Sequence, residues 1–139
     1  MGAPDKRLSQ VRPSRLKINR IIFWNDHAPV NAREVLDYAH GYGVKVMWGY
    51  AWGWIDGCDK IGDISDERLC ELKRQILDRY EREYAGISED GIYFQSFTEV
   101  FGGDAIGGRR ISEAVVKLVN ETSAALLEKY PDLKIVFGL

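Results

Sequence analysis

Four short apolar stretches alternate with three amphipathic ones along this chain, and that order limits the fold more than any single motif. Ile21, Ile22, Phe23 and Trp24 form the first apolar run, which ends at Asn25, Asp26 and His27 and suits a strand buried on both faces. The second, Val44 to Trp54, is β-branched and aromatic. Asp90-Gly91 introduces the third, from Ile92 to about Thr98 and ending at Glu99, and Lys134 to Leu139 makes the fourth. Asn31 with Glu34 resembles a capping box opening a helix through about Tyr42, with Gly41 and Gly43 as stop signals. Ser65 or Asp66 caps a second helix, whose Leu69, Leu72, Ile76, Leu77, Tyr80 and Tyr84 recur at helical spacing. A third, with Ser112 as its cap and Val115, Leu118, Val119, Thr122 and Leu126 as its buried stripe, stops at Pro131. The fold class is therefore α/β: a parallel sheet of about four strands joined by right-handed crossover helices.

Residues 1–17 are polar and basic and are broken by Pro13, which reads as a loose arm or remnant helix ahead of a domain at 18–139. Four such strands make either a small open sheet or part of a (β/α)8 barrel, whose usual length is about 250 residues. A final strand with no helix after it, and a broken helix before the first strand, favour a partial barrel. Open parallel edges also invite self-association unless something covers them.

Composition narrows the partners. Among 139 residues, 19 basic and 21 acidic side chains leave a net charge of −2, which removes the electrostatic case for nucleic acid or an anionic membrane. No apolar run approaches the roughly 20 residues that span a bilayer, and the polar start lacks a secretory hydrophobic core. Cys58 and Cys70 supply neither a disulfide framework nor a metal-type pair, so the expectation is a cytoplasmic protein in a reducing compartment.

Polar and aromatic residues gather at the C-terminal ends of three successive strands, where barrel active sites sit. Glu99 is the candidate catalytic residue: alternation places Tyr93, Gln95, Phe97 and Glu99 on one strand face, and a carboxyl group among aromatics is held protonated for general-acid work. A bland reading makes Glu99 a loop cap or an ion-pair partner of Arg109 or Arg110. Tyr50, Trp52 and Trp54 share parity with Trp48, and flat rings of this kind bury the apolar faces of sugars; the alternative is an ordinary core. Asn25, Asp26 and His27 are candidates for substrate hydrogen bonding or for capping the next helix. One His beside one Asp is too little for a metal, and GGDAIGGRR lacks the Lys and Ser/Thr of a phosphate loop, so neither metal nor cofactor is expected.

The run from IIFWND through DYAHGYGVKVMWGYAWGW to DGIYFQSFTEVFGG resembles strands two to four of glycoside-hydrolase (β/α)8 barrels of the α-glucuronidase and hexosaminidase-like kind. The resemblance runs from Ile18 to Leu139 and covers part of such a catalytic domain. It implies that Glu99, in FTEVFGG, is the general acid. Hexosaminidases carry adjacent Asp-Glu after paired glycines, whereas Thr98-Glu99 here precede them, so the α-glucuronidase likeness is the closer. The implied activity is cleavage of a glycosidic bond in a carbohydrate substrate, incomplete in this chain alone. The alternative is a catalytically silent half-barrel that binds sugar or self-associates. A second carboxylate is needed, about 5 Å away in retaining enzymes and about 6.5–9.5 Å in inverting ones. Asp26, two strands from Glu99 at about 4.8 Å per strand, falls near or beyond the inverting limit. In the family the base comes from later strands.

Overall fold

In chain order the elements are β1 (Arg20–Trp24), α1 (Ala32–His40), β2 (Lys45–Trp52), α2 (Asp66–Arg79), β3 (Ile92–Ser96), a small hairpin of β4 (Ala105–Ile106) and β5 (Arg109–Arg110), α3 (Ile111–Lys129) and β6 (Ile135–Phe137). The structure is a computed structural model that describes residues 17–25, 27–52, 64–96 and 105–138. The main sheet has the order β1-β2-β3-β6 with every pair parallel, so within this sheet each strand lies beside its predecessor. Among the described residues the fold is thus α/β, with a four-stranded parallel sheet and three α-helices.

Strand alternation divides the sheet into two unlike faces. Val46, Trp48, Tyr50 and Trp52 of β2 join Ile92 and Phe94 of β3 in one buried cluster. Leu36 of α1, Leu69, Leu72 and Ile76 of α2, and Ala114, Leu118 and Leu126 of α3 complete it, so all three helices pack on this face. Its centre is aromatic: the Trp52 and Phe94 rings stack at 3.5 Å, Tyr50 and Tyr84 at 4.3 Å, and Phe94 and Phe137 at 5.1 Å. After α2 the chain continues in a π-helical segment, Tyr80–Tyr84, and both tyrosines are buried toward the sheet.

The opposite face carries the other set. In register across the sheet, Trp24 pairs with Gly49, Gly49 with Tyr93 and Tyr93 with Val136. A Cβ at Gly49 would lie 2.9 Å from Trp24 Cε3 and 3.1 Å from Ile22 Cγ2, so only hydrogen leaves room for these side chains to lie across β2. Gly49→Ala is accordingly expected to cost about 1–3 kcal/mol by overpacking, read from urea unfolding, and to displace the indole.

Asn31 is the cap position of α1 as expected, and the helix boundaries otherwise differ from the sequence expectation in detail. Asn31 flanks α1 without a side-chain cap bond, and α1 ends at His40 rather than Tyr42. Arg110, not Ser112, is the cap position of α3, because the β5 strand runs directly into the helix. Ser65 does cap α2, its Oγ accepting from the Arg68 N–H at 3.3 Å. The Ile21–Trp24 run is also corrected. It does not lie buried on both faces: β1 is an edge of the sheet among the described residues, which leaves Ile22, Phe23 and Trp24 exposed at 44%, 40% and 42%.

The β4–β5 hairpin is tied to the start of α2. Asp66 Oδ1 accepts from Lys117 Nζ at 2.8 Å and from Arg109 Nη1 at 2.7 Å, and Arg109 also donates to the Ile64 carbonyl. These two cations hold the Asp66 carboxyl down to about 2. The tie is therefore complete above the ordinary carboxylate range and is lost as pH falls toward 2. An NMR titration of the Asp66 carboxyl carbon is expected to show this depressed midpoint, and salt to raise it.

Candidate functional site

Of the sequence candidates, Asn25, His27, Tyr50, Trp52 and Gln95 are among the described residues, and these five do not gather in one place. Asp26, Trp54 and Glu99 lie outside the described residues. Asn25 continues the β1–β2 pairing, its N–H donating to the Gly49 carbonyl at 3.0 Å, and its side chain is exposed. After it the chain turns toward the helix layer. His27 Nδ1 lies 3.4 Å from Glu83 Oε2, at the π-helical end of α2, and the Ala28 N–H reaches the same oxygen at 3.4 Å. Burial pushes the Glu83 carboxyl up, but Arg82, the Ala28 N–H, Arg79 and His27 outweigh it and hold it below the usual range. The His27 ring is 77% exposed, so this pair anchors the loop with its imidazole facing solvent.

Tyr50 and Trp52 occupy the layer between sheet and helices and are fully buried. Their rings serve the core in this structure. Burial pushes the Tyr50 hydroxyl well above its ordinary range, while the neighbouring Trp52 indole N–H works the other way. The Arg79 guanidinium stands 5.4 Å from the Tyr50 ring centroid, a cation–π distance. Tyr50 Oη, Trp52 Nε1 and Arg79 Nε and Nη2 are buried without completing a hydrogen bond among the described residues.

Gln95 alone of the described candidates belongs to the opposite face, and there it has company that sequence reasoning did not assign to a site. Gln95 Nε2 donates to Tyr93 Oη at 3.4 Å. Tyr93 meets Trp24 edge to face, with centroids 6.1 Å apart and planes at 73°. The sequence pattern makes Trp24 one member of a strand buried on both faces. The pointer to its role was Gly49, whose missing side chain opens β2 to a ring from β1, but only the pairing register reveals that the two are neighbours. Two rings inclined at 73°, one of them hydrogen-bonded to a carboxamide, put apolar surface and directional hydrogen bonding side by side.

No family model, curated protein sequence or solved structure matches this chain. Among the described residues, no group of three or more His, Cys, Asp or Glu side chains is placed to hold a metal, and no helix is long and apolar enough to cross a membrane.

Proposed function

We propose that this chain is a portion of a (β/α)8-barrel, glycoside-hydrolase-like domain that acts on a carbohydrate, with Glu99 as general acid. The observation that carries the reading is the arrangement of the sheet. Its parallel strands follow chain order, its helices pack on one face, and its other face alternates bulky and minimal residues as Trp24, Gly49 and Tyr93. Barrel interiors are filled by side chains from alternate strands, and such an alternation suits that packing. Gln95 lies on the same face toward the strand ends, and Glu99, four residues further along the sequence, lies outside the described residues.

Hydrolysis of methyl α-glucuronide or methyl β-N-acetylhexosaminide, whose poor alkoxide leaving groups require a proton, tests the reading. Turnover that falls by about 10²–10⁴-fold in Glu99→Gln, with binding retained, supports it. An unchanged rate in that variant rejects the role of Glu99.

A second reading is favoured by the two unpaired edges, β1 and β6, that the strand order leaves among the described residues. In it the chain is a silent half-barrel that binds sugar or self-associates, β6 of one copy continuing in parallel to β1 of another. A dimer by light scattering, with sugar binding but no turnover, selects this version, and a monomer over the whole accessible concentration range excludes the paired edges.

A further inference from the structure

We infer that Tyr50, Trp52 and Arg79 hold a single halide ion, chloride in the first instance, between the sheet and α2 at the C-terminal end of β2. Such a site does not depend on the carbohydrate reading, since neither Glu99 nor Gln95 is part of it.

The groups that meet here donate. Tyr50 Oη, Trp52 Nε1, and Arg79 Nε and Nη2 are enclosed with no hydrogen-bond partner among the described residues. An indole and a guanidinium have no acceptor atom, and a phenol has one hydrogen to give. The three side chains are neighbours. Arg79 Cζ stands 5.4 Å from the Tyr50 ring centroid, and the Tyr50 and Trp52 centroids are 6.5 Å apart. Yet no two of them bond each other, and each enclosed, unbonded donor costs stability. One acceptor lodged among them serves all three side chains.

Glu83 does not supply that acceptor. Its Oε2 lies 3.9 Å from Arg79 Nε, beyond hydrogen-bond length, and already meets the Ala28 N–H and His27 Nδ1. Its Oε1 accepts from Arg82 Nη2 at 3.2 Å. Two guanidiniums therefore share one carboxylate, and the unbonded N–H groups are those of Arg79. A water molecule would bring two hydrogens of its own to a place that offers donors. Gln75 Oε1, one turn back on α2, is also unbonded, but its carboxamide is turned toward Glu71, whose Oε1 it meets at 3.0 Å. An anion accepts from every side and balances Arg79. Burial selects a small one: Tyr50 and Trp52 have no exposed surface and stack on Tyr84 and Phe94. A tetrahedral oxyanion would carry further oxygens into these aromatic surroundings, where they would find no donor. Entry is past Arg79, 21% of whose side chain reaches solvent. Bound there, the ion joins the end of β2 to the last turn of α2.

The test uses the whole 139-residue chain in sodium chloride, sodium bromide or sodium gluconate at one fixed ionic strength. The indole N–H signals are followed by ¹⁵N NMR, with Trp48 as internal control because its Nε1 donates to the Ile87 carbonyl. Chloride and bromide are expected to move the Trp52 signal along a saturating curve and to leave Trp48 in place. Gluconate, too bulky to enter, is expected to move neither. In urea unfolding, chloride at about ten times its dissociation constant is expected to raise the folded-to-unfolded ratio about tenfold over gluconate. Tyr50→Phe keeps the ring and is expected to weaken halide binding about fivefold, and Arg79→Met to abolish it. The signals of the unsubstituted chain keep the test decisive even where a variant fails to fold. A Trp52 signal that both halides leave unmoved overturns the site. So does a shift of equal size in gluconate, which marks charge screening. Magnetisation transfer from a bound water to the Trp52 N–H in saturating chloride assigns the place to water and likewise overturns it.

Discussion

Trp52→Ala is expected to remove about 3–5 kcal/mol of stability, a large share of what a domain of ordinary size possesses. The indole is fully buried and stacks at 3.5 Å on Phe94, which in turn stacks on Phe137 of β6. Truncation therefore opens a cavity under the end of β2 and removes the contact that links three strands through their rings. Urea unfolding followed by circular dichroism measures the loss. Trp24→Ala provides the contrast, because its ring sits on an edge strand and remains half in water; a cost of about 1 kcal/mol is expected there. The two substitutions delete the same side chain from opposite faces of the sheet. Equal costs, or a native midpoint for Trp52→Ala, would show that the assignment of helix-covered and helix-free faces is inverted.

The second large effect is expected at Asp90, at the other end of the sheet. Asp90 Oδ2 accepts from the buried Val46 N–H at 2.8 Å and lies 2.6 Å from His40 Nε2, so one carboxylate joins the start of β2 to the end of α1. Asp90→Ala leaves the Val46 N–H enclosed without an acceptor and abolishes a charge-assisted bond, a combined cost of about 2–4 kcal/mol in the same unfolding measurement. The acid side of the stability profile carries a matching signature. Burial pushes the Asp90 carboxyl up, but the bonds from His40 and the Val46 N–H, with the charges of His40 and Lys45, bring it below its ordinary value. A depressed carboxyl binds fewer protons folded than unfolded, so stability rises with pH through that interval. Its contribution is complete above the unfolded carboxylate pKa of about 3.9 and disappears as pH falls through the folded value. Asp90→Asn is expected to flatten this part of the acid limb.

The alternation of strands and helices was legible because it is written in period. Leu69, Leu72 and Ile76 recur at helical spacing and are all buried, and Ile92 and Phe94 lie under the helices with Tyr93 and Gln95 on the other side, as parity requires. What period cannot convey is which face a helix covers. The stripe Trp48, Tyr50, Trp52 has the same spacing whether it meets a ligand or a core, and the choice is made by α1 and α2, which pack on that side. Edge position was equally hidden: the composition of Ile21–Trp24 matches an interior strand, yet nothing among the described residues pairs with its outer side. The Asp90 tie spans 44 residues to Val46 and the Glu83–His27 contact spans 56, separations at which local patterning carries no information. The π-helical segment at Tyr80–Tyr84 likewise has neither Gly nor Pro to announce it.

The order β1-β2-β3-β6 bears on how the molecule is made. Every parallel pair joins a strand to one already released from the ribosome, so assembly can proceed vectorially, each new unit docking on a finished neighbour. At synthesis rates of about 5–20 residues per second, the β1–β2 pair has seconds to form before β3 emerges. The aromatic face of β2 is fully covered only once Tyr84, Phe94 and α3 have followed it, so the interval before they emerge is when this strand is most prone to aggregate.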